Sequence, residues 1–285
     1  MSRLFSAVTD LVTVAHSASI NNLAEVTYCA WINCFAQPET NASSYGAFWV
    51  KDPNGQYNGQ WMNAGAVSGQ EILASYGGGL SQSSDFVFGL NKWSHLAFTF
   101  SNSGDQLIHI FFNGVEVSYT LEGSGATASD ATGDLIVGND SLSAPMLGRL
   151  YDFRVYNAAL TAANLQTIIS GGSSVNPLPN NLKCHLVFGS DSGSIEPDAS
   201  GNNNPGVITG ATFSPTSPAY NVPDCRSYGN FPNSSRNVNN TLIYDVQTSS
   251  NSAVPGTDSR TAGALVASGT YPQNSRTPGT YGPGE

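Results

Sequence analysis

Four histidines, four cysteines and twenty acidic residues are where this chain of 285 residues could carry proton, metal or nucleophile chemistry. His95 and His109 sit on two consecutive apolar runs. If Phe100 faces Gln106 across the intervening loop, the two imidazoles become diagonal neighbours on one sheet face, ~7–8 Å apart. A zinc site would need a third and a fourth ligand, and none is evident. The expected arrangement is therefore a hydrogen-bonded, half-buried pair beside Trp93 and Phe111. Asp130, Asp134, Asn139 and Asp140 offer oxygen donors near strand ends, the ligand type that calcium takes. Their spacing matches no dedicated calcium loop, and Asn and Asp are also ordinary turn formers, so no metal is assigned.

A second group combines flat rings with amide donors, the pairing that stacks on a sugar and hydrogen-bonds its hydroxyls. Trp49, Tyr57, Trp61 and Tyr76 supply the rings, and Asn54, Asn58 and Asn63 the amides. Trp49 and Trp61 also fit as core residues of adjacent strands. Tyr57, Trp61, Asn63 and Tyr76 stand as the glycan-binding candidates. Glu25, Glu39, Glu71, Glu116, Glu122 and Glu196 read as isolated carboxylates. The chain has no G-x-S-x-G elbow, no phosphate-binding P-loop and no H-E-x-x-H.

Those residues need a scaffold, and the composition says which. Only 11% of residues are charged, Gly and Pro are plentiful, and the net charge is −10, the profile of a many-stranded β protein. The acidic balance argues against nucleic acid, which demands clustered Lys and Arg. Lys51, Lys92 and Lys183 are the only lysines, so there is no polybasic membrane patch. No apolar run is long enough to span a bilayer, and the opening residues lack an unbroken apolar segment of the secretory type, which points to folding in a cytoplasm. Cys29 and Cys34, at odd spacing in one strand, face opposite ways ~16 Å apart, beyond disulfide reach. Cys184 and Cys225 can pair, but reduced thiols are the default without export.

The clearest organisation runs from Lys92 to Thr120. Leu96, Phe98 and Phe100 share a face, a loop over Ser101–Asp105 turns the chain, and Ile108, Ile110 and Phe112 share the next. Asn113-Gly114 predicts a type I′ turn, and Val115, Val117 and Tyr119 continue the alternation. Leu4–Ala15, Glu25–Phe35, Tyr45–Lys51, Gln60–Ala66, Ile72–Tyr76, Asp85–Leu90 and Leu135–Gly138 read as further strands. In Gly148–Tyr156 the pattern puts Tyr151, Phe153 and Val155 inside and Asp152 and Arg154 outside. Thr161 caps one helix over Ala162–Ile169, stopped by Gly171-Gly172.

The ordered segments W-S-H-L-A-F-T-F (93–100), I-H-I-F-F-N-G-V-E-V (108–117), L-I-V-G-N-D (135–140) and G-R-L-Y-D-F-R-V-Y-N-A-A-L-T-A-A-N-L-Q-T-I (148–168) resemble the laminin-G-like jelly roll of the concanavalin A-like lectin/glucanase superfamily. T-Y-C-A-W-I (27–32) is similar to that family's early strand. The resemblance covers about residues 4–170 and implies an all-β, two-sheet antiparallel jelly-roll sandwich with one short helix. It also implies a calcium question, since many such domains bind it at a loop rim. β-Glucan-cleaving members place carboxylates as E-x-D-x-x-E, and no such triplet occurs here. An enzyme is not expected.

Three regions follow. Residues 1–172 form the jelly roll, 173–225 add strands to it or begin a small module, and 226–285 are an extended Pro/Gly/Ser/Asn-rich tail. The tail holds four Arg, no Lys and three acids, so it carries +1 against −11 for residues 1–225. Such a composition cannot bury enough apolar surface to fold alone. It is expected to gain order against the sandwich, a second copy or a larger assembly, through Arg226, Arg236, Tyr244, Arg260, Tyr271 and Arg276. The expected role is a non-enzymatic structural or adhesive component of a virus particle, such as a bacteriophage capsid decoration or fibre-type protein, contacting other virion proteins, copies of itself or cell-surface glycans. The alternative is a carbohydrate-binding module of a bacterial surface protein.

Overall fold

The computed structural model describes residues 1–36, 45–51, 58–63, 71–84, 89–140, 145–189 and 193–218, which belong to the unit Met1–Asn221. Tyr57, Cys225, residues 85–88, the side chain of Asn63 and the whole tail 226–285, from Arg226 to Arg276, lie outside the described residues.

Where one opening strand was expected, there are two. β1 (Ser2–Phe5) and β2 (Leu11–Val14) enter different sheets. Asp10 makes the break, because its carboxylate accepts the backbone N–H groups of Ser6 (2.7 Å) and Ala7 (2.9 Å). β3 (Glu25–Cys34) follows the alternation: Val26, Tyr28, Ala30, Ile32 and Cys34 face the core, and Cys29 the opposite side. β4 (Tyr45–Lys51) and β5 (Asn58–Asn63) pair antiparallel with a bulge in β4 opposite Gln60 and Trp61. The extra residue lets consecutive Phe48 and Trp49 both enter the core.

β6 (Glu71–Tyr76) and β7 (Gly79–Ser83) make a hairpin whose turn, Gly77-Gly78, has φ of 55° and 89°. A side chain there would be strained. β8 (Ser94–Ser101), β9 (Ile108–Phe112) and β10 (Val115–Glu116) come next. Asn113 and Gly114 both have positive φ (52° and 76°), as the type I′ turn requires. The third run does not stay in this sheet. After Glu116 the chain crosses over, and β11 (Tyr119–Leu121) pairs in the other sheet. β12 (Leu135–Val137), β13 (Gly148–Tyr156), α1 (Ala162–Gly171), β14 (Leu182–Leu186), β15 (Ile195–Glu196), β16 (Gly206–Thr209) and β17 (Thr212–Ser214) follow, with two 3₁₀ turns (Gly172–Ser174 and Pro179–Asn181) between α1 and β14.

All pairs between the described strands are antiparallel. One sheet runs β10-β9-β8-β3-β13-β1-β17, with β14 beside the second half of β13; the other runs β11-β7-β6-β5-β4-β12-β2-β16-β15. Between them lies the main core, where Tyr28 stacks on Phe98 at 5.3 Å and Trp49 meets Phe153 at 5.5 Å. The two sheets close face to face over this layer, a jelly-roll sandwich.

β13 departs from its pattern at a second bulge. Tyr151 pairs with Trp31 and Arg154 with Cys29, which leaves Asp152 and Phe153 opposite Ala30 alone. Asp152 takes φ of 58°. Leu150, Phe153 and Val155 therefore face the core, whereas Tyr151 turns to the back and its hydroxyl meets Ser173 at 3.1 Å. Asp152 and Arg154, expected in solvent, are wholly buried there. Arg154 Nε and Nη2 donate to the two oxygens of Asp152, each at 2.9 Å. The remaining guanidinium hydrogens reach the Tyr156 hydroxyl at 3.3 Å, Gly172 O at 3.0 Å and Val175 O, and the last two strap the chain after α1 onto the sheet. His185 Nε2 lies 2.7 Å from Asp152 Oδ1.

α1 covers the rest of that back face. Thr161 and Asn164 form a capping box, and Leu165 and Ile168 bury against Cys29, Ala97, Phe111 and Tyr156. Burial alone would raise the Asp152 carboxyl, but the His185 hydrogen bond and the Arg154 charge hold it down at about 2.

Removing one partner of a buried pair strands the other charge, so Asp152→Asn should cost ~3–5 kcal/mol in urea unfolding. The acid limb has a definite sign. Folded Asp152 titrates at about 2 against an ordinary 3.8, so its contribution is complete above 3.8 and is lost as pH falls toward about 2. Across that window the wild-type urea midpoint should fall more steeply than that of Asp152→Asn; parallel slopes would refute the assignment.

Candidate functional site

With α1 and the strap over one sheet, the outward face of the nine-stranded sheet is left to examine. It carries a small apolar cluster of Ala47, Val50, Trp61 and Leu73. Beside the cluster is a pocket of about 400 Å³ lined by Trp61, Leu73, Ser75, Gly78, Gly79, Leu80 and Asp140. Strand register builds it. Trp61 pairs with Ala47 on one side and Leu73 on the other, and Ser75 pairs with Leu80. Period two then sends Leu73 and Ser75 outward together.

The rims are held by hydrogen bonds. Asn58 Oδ1 accepts the Gly77 N–H at 2.8 Å and Ser75 Oγ donates to Gly79 O at 2.7 Å, which fixes the glycine turn. A β-carbon on Gly77 would fall 1.9 Å from Ala126 O, so the turn sits directly on that loop. On the other rim, Asn139 anchors the segment after β12: its amide donates to Val8 O at 2.8 Å and its Oδ1 accepts the Asp140 N–H at 2.8 Å. Pro145 then bridges to Ala47. Asp140 is thereby delivered to the pocket.

Of the residues picked from sequence for glycan contact, Trp61 lines this pocket. Tyr76 does not. It is 1% exposed, its ring lies 5.1 Å from Phe100, and its hydroxyl donates to Leu23 O at 2.7 Å, so it serves the core. Its neighbour Ser75 has the outward parity instead. Tyr57 and the Asn63 side chain lie outside the described residues. Leu73, Ser75 and Leu80 were missed, although pairing β6 to β7 through the glycine turn would have placed them beside Trp61.

The oxygen donors considered for calcium do not converge. Asp130 is buried, and its carboxylate accepts the Asn22 N–H at 2.6 Å and lies 3.7 Å from Lys51 Nζ. That ammonium also donates to Asn21 Oδ1 (2.9 Å), Asp130 O (2.7 Å) and Gly133 O (2.7 Å). Burial pushes Lys51 below the ordinary lysine range, opposed by Asp130 and Asp134. Asp134 accepts both the backbone N–H of His16 (2.9 Å) and its ring Nδ1 (2.8 Å). Asn139 is the loop anchor already described.

The histidine pair is separated by register. Phe100 pairs with Ile108, two residues from the register considered, so His109 stands opposite Thr99. His95 is then four residues farther along, ~13 Å at ~3.3 Å per residue. It is fully buried at 5.5 Å from Trp31, and burial pushes its imidazole down to about 3. Among the described residues, the ligand atoms that cluster as a metal would need belong to His109, Glu116 and Glu122, all within 4.8 Å of one another. The imidazole there is held between Glu116 Oε1 (2.6 Å) and Asp105 Oδ2 (3.0 Å). Burial lowers its pKa, but the two carboxylates outweigh that and the net movement is upward.

One further sequence reading changes. Glu196 is not isolated, since Asp198 follows two residues later, with Gly201 where a third carboxylate would complete the triplet. Glu196 pairs with Arg3 at 3.1 Å and accepts the Phe188 N–H, while Asp198 accepts the His185 N–H. Cys184 is a free buried thiol whose Sγ donates to Asn204 O at 3.6 Å.

The profile of the concanavalin A-like lectin/glucanases superfamily matches residues 6–166. Among solved structures, a Bacteroides ovatus protein provisionally designated as carbohydrate-binding superposes with a TM-score of 0.54 at 16% identity, covering 74% of this chain and 58% of that one. This chain thus spans under two thirds of that protein's length. Tailspike protein 2 of the Escherichia coli O157:H7 bacteriophage CAB120 gives 0.42 at 12% identity (65% and 29% covered), and domains LG4-5 of the mouse laminin α1 chain give 0.40 at 14% (54% and 40%). No curated protein matches the sequence. The profile match covers more than half of the chain and agrees with the two antiparallel sheets: the chain belongs to the concanavalin A-like lectin/glucanase superfamily.

Proposed function

We propose that this chain is a non-enzymatic adhesive module that holds a sugar residue of a glycan in the pocket over Trp61. The observation that carries the reading is the pocket lining itself. Trp61, Leu73 and Leu80 offer an apolar wall to the C–H face of a pyranose ring, and Ser75 and Asp140 are the polar side chains of the lining beside it. Hydrolysing a glycosidic bond takes two carboxyl groups ~5–9.5 Å apart. Asp140 is the one carboxylate in the described lining, which favours holding over cleaving. No described helix is long and apolar enough to cross a membrane.

The setting we favour is the surface of a virus particle, as a bacteriophage decoration or fibre-type component, ahead of a bacterial surface module. What favours it is the tail composition: lysine-free, rich in turn formers, and +1 against −11 for the rest. Chain of that kind suits lying along neighbouring subunits better than folding by itself.

On a broad glycan array the full chain should show saturable binding. Trp61→Ala should weaken it about tenfold or more, since 1.4 kcal/mol is one decade in affinity; Leu80→Ala, at a part-exposed position, should weaken it in the same direction with the fold intact. A flat array would end the reading. A chain cut after Asp224 should keep glycan binding and lose attachment to particles, and attachment that survived the cut would remove the tail from the account. Because Asp130 and Asp134 are already paired with Lys51 and His16, a chelator should leave the melting temperature unchanged. A drop would reveal a cation bound to the folded state.

A further inference from the structure

We infer that His109, Glu116 and Glu122 form a zinc-type metal site that ties the edges of the two sheets together, with Asp105 holding the imidazole. The chain has four histidines, and two of them are closed to an ion from solvent: His95 is fully buried, and His185 is buried against Asp152. His16 and His109 remain. His16 meets one carboxylate, Asp134, whereas His109 lies between Asp105 and Glu116. Its Nδ1 and one oxygen each from Glu116 and Glu122 all lie within 4.8 Å of one another. Among the described residues this is the one group of three such donors. None of them lines the pocket over Trp61.

Backbone pairing brings the donors together from separate points of the chain. Glu116 pairs with Phe111 across β9 and β10, which sets it diagonal to His109 on one face. Glu122 arrives from the other sheet, just after β11. There Gly123 O accepts the Ile108 N–H at 3.0 Å, and Gly123 N donates to Ser81 Oγ at 2.8 Å, so residue 122 is held beside β9. Tyr119 orients the Glu116 carboxylate: its hydroxyl donates to Oε1 at 2.9 Å and accepts the Ile110 N–H at 2.8 Å. Across the ring, Nε2 donates to Asp105 Oδ2 at 3.0 Å, and Asp105 Oδ1 accepts the Leu107 N–H at 3.1 Å. A carboxylate on Nε2 leaves Nδ1 to the metal, as in carboxylate–histidine–zinc sites. Nδ1 lies 2.6 Å from Glu116 Oε1, a separation at which the two share a proton. Zinc takes that proton's place: the N–H bond breaks, a Zn–N bond forms and the proton leaves to solvent.

The donor set selects the ion. One imidazole nitrogen with two carboxylates suits zinc and its first-row neighbours, whereas calcium takes about six to eight oxygens. Bonds of ~2.0–2.2 Å draw the donors inward, a movement open to Glu116 and Glu122 because both side chains are exposed. Three protein donors leave the fourth tetrahedral position to water. His109 and Glu116 belong to one sheet and Glu122 follows a strand of the other, so the ion staples the chain's crossing after Glu116.

Zinc titrated into the full chain, first stripped of metal, tests the site by calorimetry and thermal melting. A single zinc should bind with micromolar Kd and raise the melting temperature, while calcium and magnesium at the same concentration do neither. Cobalt(II) should show the visible absorption of tetrahedral coordination, which loose surface binding does not give. Asp105→Asn touches no metal, yet should weaken zinc ~10–100-fold by freeing the ring. Glu122→Gln removes a donor at an exposed position and should weaken it at least as much. His109→Ala should abolish binding, and His16→Ala should leave it unchanged. Should His109→Ala fail to fold, the two carboxylate variants decide. Absence of saturable zinc binding, or binding that survives Glu122→Gln and Asp105→Asn undiminished, would overturn the site.

Discussion

The ion pair between Asp152 and Arg154 fixes how the back of the eight-stranded sheet is covered. Both side chains are wholly buried, so every donor of the guanidinium must be met inside the protein. Asp152 meets two, and the carbonyls of Gly172 and Val175 meet others. Those carbonyls belong to the chain leaving α1. Satisfying the arginine therefore pulls that chain, and the helix before it, onto the back of the eight-stranded sheet. The back of that sheet is thereby covered by α1 and the chain that follows it.

Within the nine-stranded sheet a second bulge plays the corresponding part. Admitting both Phe48 and Trp49 to the core lets Ala47 and Trp61 pair on the outside. One tryptophan goes in and the other goes out. Among the described residues the outer cluster has four members, far fewer than the core between the sheets. Two of its members, Trp61 and Leu73, line the pocket beside it.

Much of the scaffold was legible in the sequence. Strict alternation gave β3, β8 and β9, Asn113-Gly114 gave its turn, and Thr161 with Gly171-Gly172 bounded the helix. These succeed because each depends on residues close in sequence. The failures share one cause. A bulge adds a residue without changing composition, so the inward set of β13 was read one step out at Tyr151, and Asp152 and Arg154 were assigned to solvent. Strands that change sheet, at Ser6–Asp10 and again after Glu116, keep their β pattern through the change. The β8–β9 register slipped by two, which leaves every face correct and every partner wrong, and the supposed His95–His109 pairing went with it. For the site, Trp61 was visible but undecided, because an outward cluster on a covered strand looks like core. Tyr76 was misplaced by one position of parity. Asp140 enters the sequence reading as an oxygen donor for calcium; its place in the pocket lining depends on the chain path after β12, which composition does not show.

The central claim is that ligand sits on the Trp61 face and nowhere else. Backbone and side-chain NMR shifts of the full chain, followed during titration with a neutral oligosaccharide, test it most directly. The account predicts movement of the Trp61 indole N–H and the Leu73 and Leu80 methyls, with the Trp31 indole and the α1 residues unmoved. Perturbations centred on Trp31, α1 or the Asp105–Glu116 edge would contradict it.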